Sequence, residues 1–272
     1  MIAPKQFREE ISPYFNANPK KYISALVSED CWQATPGKVV DLVRNLGIAA
    51  GGTVMEDCRV LEACREGKYT SVLVQTHDKK YVEYRTEHFV NALGSGAGKL
   101  CDSMGIDAGL YPVRHQAFIT RRLPMLGKHG TNLDMLIDRQ DYKGFSAVYG
   151  QQIAYTGQII GCASPKLDAM RIDKNLKVNT KAFLEIVSEM FSEWIPDLAG
   201  VGIQAVWAGY YTEPRYIVDP ELGLFVGMCG HGFMLSQYIA RMYVDKLLGR
   251  PVPEYFEKLK LNGPGLSEKA FK

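Results

Sequence analysis

The stretch from Leu224 to Leu247, LFVGMCGHGFMLSQYIARMYVDKL, constrains this chain more than any other. Leu224 to Gly227 is an apolar run of strand type, and from Met234 the residues Leu235, Tyr238, Ile239, Met242, Tyr243 and Leu247 recur at helical spacing. Between them lies Gly227-Met-Cys-Gly-His-Gly-Phe233, with three glycines in six positions. A turn stripped of Cβ atoms can take positive φ and lets another group approach the main chain closely. The helix that follows presents unpaired N–H groups and a partial positive charge above the turn. The pattern predicts a place for an anion or for the electron-rich edge of a heterocycle. A glycine-rich turn also serves to pack a helix tightly on a sheet, so the turn alone leaves both readings open.

A chain of 272 residues with 46% apolar content can bury the core of one large or two smaller domains. Its formal charge of +2, with Lys and Arg dispersed, offers no basic stripe for nucleic acid and no polybasic membrane anchor. No apolar run approaches the roughly 20 residues a membrane span needs, and MIAPKQFREE has no signal-type apolar segment. The expectation is a cytoplasmic protein. Cys31, Cys58, Cys64, Cys101, Cys162 and Cys229 form no C-x-x-C, and the five histidines form no H-x-x-x-H, so no metal site is expected. The cysteines read as reduced, mostly buried thiols; a reactive role is a second reading only for Cys229, inside the glycine turn.

Taken in order, residues 1–37 are loop-rich with one strand expected over Tyr22 to Val27. Lys38 to Leu46 predicts a short amphipathic helix capped by Gly47. Thr53 to Ala63, Tyr69 to Gln75 and Tyr81 to Arg85 predict an antiparallel meander, its second turn at His77 to Lys80. His88-Phe-Val-Asn-Ala-Leu-Gly-Ser-Gly-Ala-Gly98 then runs a strand end into three glycines and a helix from Lys99 to Met104. This is a second close-approach turn of the same physical kind. Leu110 to Thr120, Leu133 to Asp138 and Ser146 to Ile160 read as sheet, Thr180 to Phe191 as an amphipathic helix stopped by Pro196, and Val201 to Thr212 as a returning strand. The tail from Pro251 is polar and Pro/Gly-marked, and is expected to wrap the surface or a neighbour.

Trp207-Ala-Gly-Tyr-Tyr-Thr-Glu-Pro-Arg-Tyr-Ile-Val-Asp219 followed by GLFVGMCGHGF resembles the C-terminal signature of the FAD-dependent D-amino acid oxidase and sarcosine oxidase superfamily. The resemblance implies an α/β (α+β) fold, in which an incomplete FAD-binding Rossmann-like domain is interleaved with an antiparallel-sheet substrate domain. Residues 38–105 and 201–250 would belong to the FAD-binding domain, 1–37 and 106–200 to the substrate domain, and 251–272 to a surface tail. It also implies FAD as cofactor and hydride transfer to flavin N5 from a small secondary or tertiary amine or amino acid. By the same resemblance Val60, Ala92, Gly94, Gly209, Gly227, Gly230, His231, Gly232, Phe233 and Met234 would face the cofactor. Tyr211, His115 and Arg215 would face the substrate, where a strand tyrosine, a sheet histidine and a surface cation are the bland readings.

The family's G-x-G-x-x-G turn after a first strand, with an acidic residue about 20 positions on, has no counterpart in these residues. The resemblance thus spans the later two-thirds or so of a family member. A partner chain could supply the dinucleotide-binding unit, and self-association is a further expectation. Met234 stands where related sarcosine oxidases often carry lysine, and Gly209 where some attach flavin through cysteine. A substrate carboxylate would then rely on Arg114, Arg215 or an arginine from elsewhere. Two rivals stand beside the enzyme reading: a non-catalytic remnant or interaction subunit of a flavoprotein complex, and an α/β protein binding another nucleotide at the 227–233 turn.

Overall fold

The computed structural model describes residues 1–11, 15, 20–28, 30–124, 126, 133–138, 145–153, 156–165 and 180–264. Along the chain, α1 (Pro4–Gln6) and α2 (Pro36–Ala49) precede β1 (Arg59–Glu66), β2 (Tyr69–Gln75) and β3 (Tyr81–Thr86). Helix α3 (Ala97–Ser103) leads to β4 (Tyr111–Thr120), β5 (Leu136–Asp138), β6 (Phe145–Ile153) and β7 (Gln158–Pro165). After α4 (Thr180–Trp194) come β8 (Ile203–Glu213), β9 (Ile217–Asp219), β10 (Leu224–Val226) and α5 (Gly232–Leu247). The chain divides into two compact units, Met1–Cys31 with Arg114–Tyr210 and Trp32–Val113 with Tyr211–Lys272. Among the described residues no helix is long and apolar enough to cross a membrane, and no group of three or more His, Cys, Asp or Glu is placed to hold a metal.

The first unit is built on a five-stranded sheet ordered β5-β6-β7-β4-β8, with antiparallel pairing of β5 to β6, β6 to β7 and β7 to β4. Helix α4 contributes its apolar residues Phe183, Ile186, Val187, Met190 and Phe191 to the core, all at most 2% exposed. Phe118 of β4 meets Phe191 edge-on at 5.6 Å and Phe183 at 6.1 Å, offset geometries that add to the area they bury. Buried Asp138 is satisfied by Tyr22 Oη at 2.8 Å and Trp194 Nε1 at 3.0 Å, so it ties the N-terminal segment and α4 to β5. Burial pushes the Cys162 thiol of β7 up to about 11, which disfavours its thiolate. Cys101 and Cys229 are also buried, but Cys31 and Cys64 are exposed, against the expectation of mostly buried thiols.

The second unit contains the expected meander, antiparallel β1-β2-β3, whose inner residues Ala63, Val72 and Val74 pack with Leu100 of α3. Helix α5 lays Ile239, Met242 and Tyr243 against Tyr216 and Val218. Phe256 and Leu259 of the tail are 0 and 2% exposed in the same cluster. This part of the tail is therefore core rather than loose surface chain; residues beyond 264 lie outside the described set.

Four sequence expectations shift. The strand at Tyr22 to Val27 reduces to one antiparallel bridge between Ile2 and Ala25. The strand from Thr53 begins only at Arg59, because Asp57 takes φ +53 and interrupts the extended run. The run from Ser146 to Ile160 is a hairpin, β6 and β7, turning at Gly157 with φ +67, where the carbonyls of Leu123 and Leu126 occupy the space a Cβ would need. Helix α2 also continues past Gly47 to Ala49.

Gly161 of β7 has no room for a methyl group, since its Cβ would strike the Tyr149 carbonyl and lie 2.6 Å from the Phe118 ring. Gly161→Ala is expected to cost about 1–3 kcal/mol by overpacking. Thermal unfolding followed by circular dichroism should show the lower melting temperature, and an unchanged one would mean the sheet and ring are less closely opposed.

Candidate functional site

The two glycine bends singled out in the sequence both lie in the second unit, and one residue brings them side by side. Asn91 forms a parallel bridge to Leu224. Its N–H donates to the Gly223 carbonyl at 2.8 Å, and its carbonyl accepts from Phe225 N–H at 3.0 Å. The segment entering the first bend therefore runs beside β10 in the same direction at this one bridge, and each bend follows just after it along its own segment. Ligands of open α/β sheets bind beyond the carboxyl ends of their strands.

The side chain of Asn91, 1% exposed, staples the first bend. Nδ2 donates to the Ala97 carbonyl at 3.0 Å and Oδ1 accepts from Leu93 N–H at 3.3 Å. Between those anchors Gly94 takes φ +55, and nothing lies within 4 Å of where its Cβ would be. Ala92, Leu93 and Gly94 are exposed. The bend is thus held from inside while its backbone stays open outside.

The second bend is filled from within. Gly227 takes φ +72 and its Cβ would fall on the Arg215 carbonyl, while a Cβ on Gly230 would lie 2.6 Å from the Tyr211 ring and one on Gly232 3.1 Å from Met228 Cβ. The sequence left these glycines open between ligand approach and packing; the structure shows a packing reason for each of them. Cys229 sits between them at φ +47, buried, its N–H donating to the Thr212 carbonyl at 3.2 Å and its thiol bonded to the Gly227 carbonyl at 3.2 Å. His231 caps α5, its backbone N–H donating to the Met228 carbonyl at 3.0 Å. Its Nδ1 is 2.6 Å from Tyr216 Oη, and the rings meet edge-on at 88°. A hydroxyl donating to Nδ1 leaves the proton on Nε2. The first turn of α5 then presents Phe233 and Met234 at 47 and 66% exposure.

The remaining candidates are more scattered. Val60 lies in β1 paired with Val74, next to a bulge before Glu62, its side chain packed against the meander core. Arg215 donates from Nη1 to the Gly263 carbonyl at 2.9 Å and from Nη2 to the Leu261 carbonyl, so it anchors the tail. His115 and Gly209 belong to the first unit: His115 is buried in β4, and Gly209 of β8 has nothing within 4 Å of its missing Cβ. Sequence reasoning missed Asn91 and Tyr216 as determinants. Asn91 had a signal, a poor strand former inside the apolar run Phe89-Val-Asn-Ala-Leu93. Tyr216 had none, because its partner lies 15 positions away.

The structure thus brings the segments leading into the two glycine bends together at one bridge, and comparison with known proteins places the chain in a family. The DAO family model, described as FAD dependent oxidoreductase, matches residues 1–246, so the chain belongs to the DAO family of FAD-dependent oxidoreductases. No curated protein matches the chain. Among solved structures, L-proline dehydrogenase from P. horikoshii is similar at a TM-score of 0.73 and 24% identity, covering 96% of this chain and 67% of its own. Glycine oxidase from Bacillus cereus ATCC 14579 is similar at 0.69 and 17% identity, covering 94% and 66%. Iminodiacetate oxidase from Chelativorans sp. BNC1 is similar at 0.62 and 15% identity, covering 84% and 58%. These likenesses establish the shared fold.

The family is FAD dependent, and the residues present are compatible with such a group at the first bend, where the exposed backbone at Gly94 has open space on the side a Cβ would take. The two bends should respond differently to the same substitution. Gly94→Ala is expected to cost about 1–2 kcal/mol from the left-handed backbone alone. Gly227→Ala, adding a clash with Arg215, should cost more; urea unfolding of both variants gives the order, and equal losses would refute the packing described.

Proposed function

We propose that this chain forms part of an FAD-dependent oxidoreductase acting on a small secondary or tertiary amine or amino acid. The observation that carries the reading is the Asn91–Leu224 parallel bridge, which sets the segment entering the open bend at Ala92 to Gly94 beside β10, the strand whose following turn leads into α5. When bound, the flavin supplies hydride acceptance at N5. The chain's residues would hold and orient. Backbone groups of Ala92 to Gly94 approach the cofactor closely, and the unpaired N–H groups at the start of α5 favour an electron-rich edge. His231 is held at that helix end by Tyr216, and Phe233 and Met234 supply apolar surface. Val60 would meet the cofactor through its backbone at the β1 bulge, and Gly209 through the open space at its Cα.

On the substrate side the reading retains Tyr211, whose ring lies on Gly230, and the buried His115 of β4. Arg215, with two donors bonded to tail carbonyls, is better read as the residue that fixes the loop behind the second bend. The names of the similar enzymes, dehydrogenase and oxidases of proline, glycine and iminodiacetate, support an amine or amino acid substrate without selecting one. The chain spans 67% and 66% of the first two of these relatives, and its residues contain no strand followed by G-x-G-x-x-G. A second reading is a subunit of a flavoprotein complex in which another chain supplies the dinucleotide-binding unit.

Absorbance tests both readings. The purified chain, alone or with its co-encoded neighbour, should gain the flavin bands on adding FAD; gaining none in either case sinks the enzyme reading. Gly94→Ala, whose Cβ meets nothing of the chain within 4 Å, should lower FAD affinity by on the order of tenfold or more, a loss of about 1.4 kcal/mol. Unchanged affinity would remove the first bend from the cofactor wall.

A further inference from the structure

Asn262-Gly263 is the one Asn-Gly step in the chain. At such a step the glycine has no Cβ to keep its own nitrogen from the asparagine side-chain carbonyl. The tail holds this step by its backbone. Leu261 N–H donates to Asp219 Oδ2 at 3.4 Å, and Gly263 N–H donates to the Lys260 carbonyl at 2.9 Å, closing a turn with glycine at its last position. Arg215 donates from Nη1 to the Gly263 carbonyl at 2.9 Å and from Nη2 to the Leu261 carbonyl, so one guanidinium grips the carbonyls on both sides of Asn262. A Cβ on Gly263 would lie 2.7 Å from the Lys258 carbonyl oxygen and 2.8 Å from that of Glu257. The glycine is thus seated directly against the helical turn Glu254–Leu259.

Deamidation at this step has a defined course. The Gly263 nitrogen loses its proton and bonds to Asn262 Cγ; the Cγ–Nδ2 bond breaks, and the amide nitrogen leaves as ammonia with that proton. Water then opens the resulting succinimide at one of its two carbonyl carbons. Opening at Cγ leaves aspartate, and opening at the main-chain carbonyl leaves isoaspartate, with the chain running through Cβ and Cγ. Nothing is oxidised or reduced, and water is the co-reactant. The fold withholds what the first step needs. Deprotonating Gly263 costs the hydrogen bond that closes the turn, and its nitrogen must rotate toward Cγ while Arg215 fixes the carbonyls on either side. Bonds from a charged donor are the stronger kind, and the guanidinium fork has a rigid spacing. Reaction therefore proceeds from an opened tail, at a rate set by how often the tail opens.

We propose that Asn262 is a modification site, deamidated by water when residues 260–263 leave Arg215 and protected while they are bound. Isoaspartate adds a backbone carbon between the Leu261 and Gly263 carbonyls, so the rigid fork that spanned them no longer matches both. The ammonia is lost to solvent, and each opening that leads to reaction is recorded as a tail that docks less well. Arg215 precedes Tyr216, whose hydroxyl lies 2.6 Å from His231 Nδ1, so the loss of the tail is passed to the second bend. None of this requires a bound flavin.

The test incubates the purified full chain at mildly alkaline pH, folded and in denaturing urea, and follows position 262 by peptide mass spectrometry, with isoaspartate told from aspartate by fragmentation. The folded chain should convert more slowly than the unfolded one by on the order of tenfold or more. Arg215→Gln, shown by circular dichroism to be folded, should speed native conversion by on the order of tenfold, because two charge-assisted bonds are lost. Asn262→Gln should abolish the conversion, and chain enriched in isoaspartate at 262 should melt at a lower temperature than fresh chain. If Arg215→Gln does not fold, the unaltered chain decides: sub-denaturing urea should raise Gly263 amide hydrogen exchange and deamidation by the same factor. Equal conversion in the folded and unfolded chain overturns the proposal. So does a folded Arg215→Gln chain that converts no faster, an unchanged melting temperature after conversion, or exchange and deamidation that respond differently to urea.

Discussion

The second unit depends on the parallel pairing of Asn91 with Leu224. Two backbone hydrogen bonds fix the direction of the incoming segment, and two side-chain bonds fix the bend that follows. A buried amide is costly unless its donors and acceptor are met, so the same residue that aligns the strands also specifies the loop. The interaction spans more than 130 residues of sequence, from Asn91 to Leu224. Everything proposed about the site requires that closure, because without it the segments entering the two bends have no reason to lie side by side.

The two bends use glycine for different physical reasons. Gly94 needs positive φ and faces open space, whereas Gly227 needs positive φ and also the absence of a side chain under the Arg215 carbonyl. Gly230 needs no unusual φ but must admit the Tyr211 ring. A glycine-rich run therefore mixes positions that serve a ligand with positions that serve internal packing. Only contacts distinguish them. The consequence is that close approach at the second bend is made by the chain on itself, and exposure there comes from the α5 side chains Phe233 and Met234.

Much of the fold was legible because local pattern and tertiary context agree. Tyr69–Gln75 became β2, and of the helical spacing from Leu235 to Leu247, Ile239, Met242 and Tyr243 became the buried face of α5, while Tyr238 and Leu247 stay exposed. Where expectation and structure part, the cause is non-local. Nothing in Ser146 to Ile160 outweighs its β-branched and aromatic content except Thr156-Gly157, a weak turn signal made decisive by the carbonyls of Leu123 and Leu126 packed over Gly157. The site was legible as two bends but not as one place, since Asn91 and Tyr216 act through partners remote in sequence. Arg215 read as a possible substrate cation because its charge is visible in sequence and the tail carbonyls that take its donors are not.

Those tail contacts explain how the second bend is held from behind. Tyr211 near the end of β8 and Tyr216 just before β9 flank the short connection between the two strands, one ring on Gly230 and one hydroxyl on His231. Lys260 pairs with Glu221 and Glu257 at 2.8 and 3.0 Å, but exposed ion pairs of this kind contribute little. The anchoring force is the burial of Phe256 and Leu259 together with the Arg215 hydrogen bonds to Leu261 and Gly263. Buried apolar area is worth roughly 25 cal/mol per Å², so two fully buried side chains outweigh the surface charges. A histidine at a helix N-terminus keeps a fixed orientation only if its support does, and here the support runs from the tail core through Arg215 to the loop that positions both tyrosines.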